Sequence, residues 1–167
     1  MAFKHEQLSG WLAEQAPGET LVSYVATGFG QMHSAGVGSS VTPSSSSGID
    51  RREAFAESLG AERSYSSGYN TTFYALTDRC LILGTRSAVR NRPKDLLHSA
   101  PVEGITVYWF DDDEGAGNSF RHFVADFGDG TIRSDRTGLT MLGRPTKSTA
   151  DPFIEALGDR AQHIQPG

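Results

Sequence analysis

The chain has 167 residues, enough for one domain with its own core and too few for two. Its net charge of −5 argues against a nucleic-acid surface, which needs a basic face to neutralise phosphates, so no nucleic-acid partner is expected. One cysteine, Cys80, excludes an internal disulfide and any zinc-ribbon spacing.

Residues 3–15 read as a short amphipathic helix, with Leu8, Trp11 and Leu12 at i, i+3 and i+4. Pro17-Gly18 stops it, which makes residues 1–18 an N-terminal helical unit. Its polar face sets Lys4 against Glu6 and Glu14, the wrong balance for a membrane-surface helix, so it is expected to pack on the domain. The sequence turns polar immediately after Met1-Ala2, without the apolar stretch of a leader. No apolar run approaches the roughly 20 residues of a membrane span. A cytoplasmic protein, not transmembrane, is the expectation.

Residues 19–29 predict the first strand, ended by Gly28-Phe29-Gly30. A strand followed by Gly-x-Gly invites a dinucleotide reading, but the third glycine position is His33 and no helical pattern begins there. Residues 31–48, with the run Ser44-Ser45-Ser46-Ser47, show no periodicity and read as a flexible loop. No Gly-x-Ser-x-Gly frames a nucleophile. Residues 50–60 predict a short helix, with Asp50 and Glu53 as a capping-box start and Gly60 just past its end. Residues 30–70 thus form a long, partly helical insertion between two strands, a length that points to a role in recognition.

The strongest strand signal is Thr71–Gly84. Phe73, Ala75 and Leu76 run into a polar corner at Thr77-Asp78-Arg79, and Cys80-Leu81-Ile82-Leu83 follows as the return strand. Cys80 reads as a small buried hydrophobe. A basic loop comes next: Arg86, Arg90, Arg92 and Lys94. Leu96-Leu97 predicts a short strand before Pro101. Residues 103–110 alternate as another strand, and Asp111-Asp112-Asp113-Glu114 reads as a polar loop. That run fails the EF-hand pattern, because Gly115, Ala116 and His122 fall where a ligand, a glycine and a glutamate are needed. Residues 120–127 and 131–135 form a hairpin across Gly128-Asp129-Gly130. His122 is expected to make a cross-strand pair with Asp126 or Asp135. Residues 149–165 predict a closing helix, with Asp151 as cap, Pro152 at its first position, and Phe153, Ile154, Leu157, Ala161 and Ile164 as its stripe. The five histidines share no metal-ligand spacing.

Successive period-2 strands and one late helix predict an α+β fold, mainly antiparallel, in which the helix plugs a barrel. This order resembles the bacterial pleckstrin-homology-like family. The resemblance rests on Ala16-Pro17-Gly18-Glu19 before the first strand, the Thr77-Asp78-Arg79 hairpin, Pro93–Leu97, the Asp-Gly turn and the closing helix. It covers residues 16–28 and 71–165 and leaves the insertion out. Cys80 departs from it, standing where family members carry a second basic residue. The resemblance implies a PH-like barrel or roll, and a binding scaffold without catalysis or cofactor. The partner expected is a protein or peptide, with residues 30–70 as the variable recognition element. Peripheral binding to anionic lipid through Arg86, Arg90, Arg92 and Lys94 is the alternative, each such cation contributing about 1 kcal/mol near a membrane. A small enzyme with a pocket roofed by the insertion is the third.

Overall fold

The computed structural model describes residues 3–28, 43–60, 71–87 and 89–166. In chain order the elements are α1 (His5–Gln15), β1 (Leu21–Gly28), α2 (Pro43–Ser58), β2 (Thr71–Thr77), β3 (Cys80–Arg86), β4 (Pro93–Pro101), β5 (Thr106–Gly115), β6 (Asn118–Asp126), β7 (Ile132–Met141), β8 (Arg144–Pro145), α3 (Ala150–Leu157) and β9 (Ala161–His163). The class is α+β with a mainly antiparallel sheet, as the sequence predicts.

Phe73, Tyr74, Ala75 and Leu76 of β2 are all buried. Successive residues of a strand point to opposite faces, so burial of all four requires cover on both. On one face Phe73 and Ala75 join Ile82 against Phe3, Leu8, Trp11 and Leu12 of the N-terminal segment and α1. Trp11 meets Phe73 edge-on at 5.3 Å and donates its indole N–H to the Lys94 carbonyl at 2.9 Å. On the other face Tyr74 and Leu76 join Val25, Leu81, Leu83, Val107, Phe123, Ala125, Phe127, Phe153 and Leu157. Both ends of the sheet therefore contribute to one core around α3.

The strand order is β4-β3-β2-β1-β7-β6-β5-β9, with β8 paired to β7. Among the described residues the two halves meet at one register pair, Gly28 opposite Arg136. The expected closed barrel is not present. The sheet is open, with β4 at one edge and β9 at the other. The chain's own tail covers the β5 edge: β9 runs parallel to it, with Trp109 opposite His163.

Other boundaries also shift. The serine run does not form a loop throughout, because Pro43 begins α2, and Asp50 lies inside that helix rather than at its cap. The rest of the expected loop, His33 included, lies outside the described residues. The acidic run is not a loop: Asp111–Gly115 continues β5, and the turn falls at Ala116-Gly117. Cross-strand partners on β6 hold it there, Asp111 opposite Arg121 and Asp112 opposite Phe120. The closing helix is shorter than expected. Gly158 takes φ +58° and ends it, so Ala161 lies in β9 and Ile164 beyond it. Thr149, not Asp151, is the N-cap residue.

Candidate functional site

The corner between β2 and β3 is turn chemistry. Thr77 Oγ accepts from the Arg79 and Cys80 amides at 3.1 and 2.8 Å, and Asp78 Oδ1 accepts from the Thr20 amide at 2.8 Å. Arg79 is exposed. Cys80 is half-buried beside the α1 cluster. Burial, then Glu19, pushes its thiol up from the ordinary range, which favours the thiol over the thiolate.

Two polar assemblies are internal. The first lies on the α3 side of the sheet. Asp135 is 2% exposed and receives Tyr74 Oη at 2.6 Å, Thr72 Oγ at 3.1 Å and Arg133 Nε at 3.0 Å. A buried carboxylate with three donors is satisfied structure. Burial and then Asp135 hold the Tyr74 phenol well above its ordinary range, so it acts as a donor and not as a base. Neither partner expected for His122 is its cross-strand pair: Asp126 lies on the same strand, and the pleat carries Asp135 to the opposite face, so that Arg136 stands opposite His122.

The second assembly lies under α2. Phe55 meets Tyr108 at 5.0 Å, and Arg51 reaches Asp112 at 2.5 Å while lying over Phe110. Arg52 is fully buried. It bonds Glu53 at 2.8 Å and faces Nδ1 of His122 at 3.4 Å. Ser134 Oγ donates to Glu53 at 2.7 Å, and Arg136 pairs with Glu114. His122 is stacked on Phe110 at 4.8 Å. Burial first, then Arg52, Arg136 and Arg51, pushes its pKa down to about 2, so the ring is neutral. The backbone of Gly48 closes the assembly: a Cβ there would overlap Asp112 Oδ2 and sit 2.8 Å from His122 Nε2.

Asp112, Glu114 and His122 each bring one ligand atom within 4.8 Å of the others. The surroundings oppose a cation. An arginine N–H only donates, so Nδ1 of His122 accepts from Arg52 and the ring proton sits on Nε2, which leaves no lone pair there for a metal. Arg51 and Arg136 already neutralise both carboxylates. The assembly reads as the ionic anchor of α2.

A cavity of about 140 Å³ opens where β1 ends against β7. Its walls come from Ala26–Gly28, Arg86, Phe120, Arg136–Gly138, Met141 and the Thr146–Thr149 segment leading into α3. The sheet geometry builds it: among the described residues one pair, Gly28 opposite Arg136, joins β1 to β7. Arg136 lies over the Phe120 ring at 3.9 Å, and its Nε has no hydrogen-bond partner. Burial, foremost among several influences, holds the Arg136 guanidinium below its ordinary range, as burial also does for Arg86.

Of the four basic residues singled out from the sequence, only Arg86 lines this cavity. Its guanidinium crosses the strand ends and donates to the carbonyls of Thr72 and Thr27, both at 3.0 Å. Arg90 is exposed in the β3–β4 turn. Arg92 borders a shallow depression with Gln7, Trp11 and Glu14. Lys94 is exposed on β4, 3.8 Å from Asp95. The four do not converge. Sequence reading missed Arg136, Lys147 and Thr149, which come from segments with no spacing signal; the β1–β7 seam alone brings them to Arg86.

Comparison with family models, with curated proteins and with solved structures finds no match to this chain. No described helix is long and apolar enough to cross a membrane.

Proposed function

We propose that this chain is a non-catalytic binding module on a PH-like roll, and that it receives a protein or peptide segment in the cavity at the β1–β7 seam. The observation that carries this reading is the cavity's mixed wall. Ala26, Phe120 and Met141 supply apolar surface, while Arg86, Lys147 and several hydroxyls supply donors. Such a wall suits a side chain with an apolar stem and a polar end. The PH-like reading is supported by one mainly antiparallel sheet whose two halves share a core with the C-terminal helix, and by the Thr77-Asp78-Arg79 corner between β2 and β3. The described part of the insertion, α2, contributes nothing to the cavity wall; its role in this reading is to hold β5–β7 in shape.

The test is selection of binders from a random peptide display library on the full chain, followed by calorimetry. Gly138 has open space around it, the nearest atom to a Cβ being Thr146 Cγ2 at 3.8 Å. Gly138→Leu therefore fills the cavity without backbone strain. Selected peptides are expected to lose about tenfold or more in affinity for the filled variant, or 1.4 kcal/mol. Failure to select any binder, or equal binding to the filled variant, overturns the reading.

One observation favours peripheral membrane binding as a second reading. The β7–β8 hairpin exposes Met141 and Leu142, at 61% and 76%, beside Arg144 and Lys147. Leu142 sits at φ +52°, a conformation costly for a branched side chain. Absence of co-sedimentation with anionic vesicles removes this reading, and binding that survives Leu142→Asn takes the hairpin out of it.

A further inference from the structure

Among the described residues, the cavity at the β1–β7 seam is lined by donors and by no carboxylate, with Arg86, Arg136 and Lys147 supplying its charge. Arg136 has a side chain only 8% exposed; one terminal nitrogen pairs with Glu114 outside the cavity, and its Nε–H, buried, has no acceptor. Arg86 donates only to neutral oxygens: two carbonyls and, at 3.1 Å, Asn91 Oδ1. Thr149 is the N-cap residue of α3, yet its hydroxyl makes no capping bond and lies buried without a partner. Two buried polar atoms without partners and a half-buried guanidinium, Arg86, without an anionic partner call for an acceptor of opposite charge, and a helix N-terminus adds positive potential in the same place.

We infer that this cavity binds a phosphoryl oxyanion carried on the peptide segment assigned to it above, an inference that rests on that reading. The chemistry of the donors selects a phosphoryl group over a carboxylate. A carboxylate is best held by the planar two-N–H fork of one arginine. Glu114 takes one terminal nitrogen of Arg136, and its Nε edge is left over as one donor group among several. Donor groups spread over β3, β7 and the segment before α3, with the charges of Arg86 and Lys147 beside them, suit a doubly charged tetrahedral anion with three oxygens. Recession of Arg136 selects a peptide over a membrane, whose headgroups are met by exposed cations. Arg136 also bridges the cavity to the ionic anchor of α2, so an anion that draws on Arg136 competes with Glu114.

The first probe is inorganic phosphate, titrated into the full chain and followed by amide resonances. Saturable shifts at Thr137, Thr149 and Ala150 are expected, with none from acetate at equal ionic strength. Arg136→Lys keeps the charge but moves the N–H, and is expected to weaken phosphate by about tenfold, as is Thr149→Val by a smaller factor. If Arg136→Lys fails to fold, Thr149→Val and Lys147→Gln carry the comparison. The second probe is a peptide library with one fixed phosphothreonine beside the same library with threonine. Phosphorylated binders at least about tenfold tighter support the inference. Equal binding of both libraries, with non-saturating phosphate shifts, overturns it and leaves the peptide reading standing. No binder from either library overturns the peptide reading as well. Capture by phosphatidic acid vesicles and by neither library assigns the phosphoryl group to lipid and overturns the peptide source.

Discussion

His122 was the hardest residue to place from sequence and is the clearest in the structure. Its ring is fully buried between Phe110 and Arg52, and its pKa is driven down to about 2. An unfolded chain titrates histidine near pH 6.5. Between those values the unfolded chain binds a proton that the folded chain does not, so stability falls as pH falls through that window. The slope is at most about 1.4 kcal/mol per pH unit. Above pH 6.5 both states are neutral at this residue and the contribution is complete and flat. His122→Asn removes the titration. Denaturation midpoints measured from pH 6.5 to pH 4 are expected to fall less steeply in the variant, and equal slopes refute the assignment. Tyr74 gives a second test at the same scale. Tyr74→Phe takes one of three donors from buried Asp135 and is expected to cost about 1–3 kcal/mol in urea denaturation. None of this was legible from spacing. His122 and Asp135 lie on neighbouring strands, and only the pleat, which no motif records, separates them.

Among the elements, legibility followed the strength of the local pattern. The β2–β3 hairpin is readable because alternation, β-propensity and turn chemistry agree over Thr71–Gly84. The acidic run was misread because charge suggests a loop, while β6 pairing holds it as strand: Arg121 reaches Asp111 at 2.7 Å from the opposite position. The last helix was overextended because its stripe continues in register past Gly158, whose positive φ breaks it. The segment after that break covers an edge that would otherwise stay open to other chains. Three pairs hold β9 to β5, and His163 packs on Trp109 at 4.5 Å. A chain ended after Arg160 is expected to keep its fold but to self-associate with rising concentration, as seen by sedimentation velocity. A monomer at every concentration tested means the β5 edge needs no cover. Docking of α2 is set by close approach rather than by an apolar stripe, which explains why sequence reading began it too late. Gly48→Ala improves helix propensity by about 1 kcal/mol. The added methyl overlaps Asp112 and crowds His122, however, and overpacking of this kind costs about 1–3 kcal/mol. Net destabilisation, with faster proteolysis within residues 48–58, is expected; a rise in stability excludes the tight fit.

At the scale of the molecule, the question is what makes one domain of two half-sheets joined, among the described residues, by a single backbone pair. Each half has its own outer helix: α1 covers Phe73 and Ile82, and α2 covers Phe110 and His122. Neither helix spans the junction. The inner core does, and α3 is its centre. Phe153 is 1% exposed, with ring centroids 6.3 Å from Tyr74 on β2 and 6.1 Å from Phe123 on β6. A single side chain therefore touches both halves. Phe153→Ala leaves a cavity between them and is expected to cost about 3–5 kcal/mol. If α3 is the coupling element, that loss is shared. Hydrogen exchange should then rise together in β2–β3 and in β5–β6, with one denaturation transition. Protection lost in one half alone, or two transitions in the variant, means that the halves are stabilised separately by α1 and α2 and that the seam is a hinge. The outcome bears on the cavity too, because Thr149 stands at the start of α3 and Arg136 at the pair joining the halves. A ligand gripping both residues closes the seam from outside as Phe153 closes it from within. Bound phosphate is therefore expected to restore part of the protection lost in Phe153→Ala, in both halves alike.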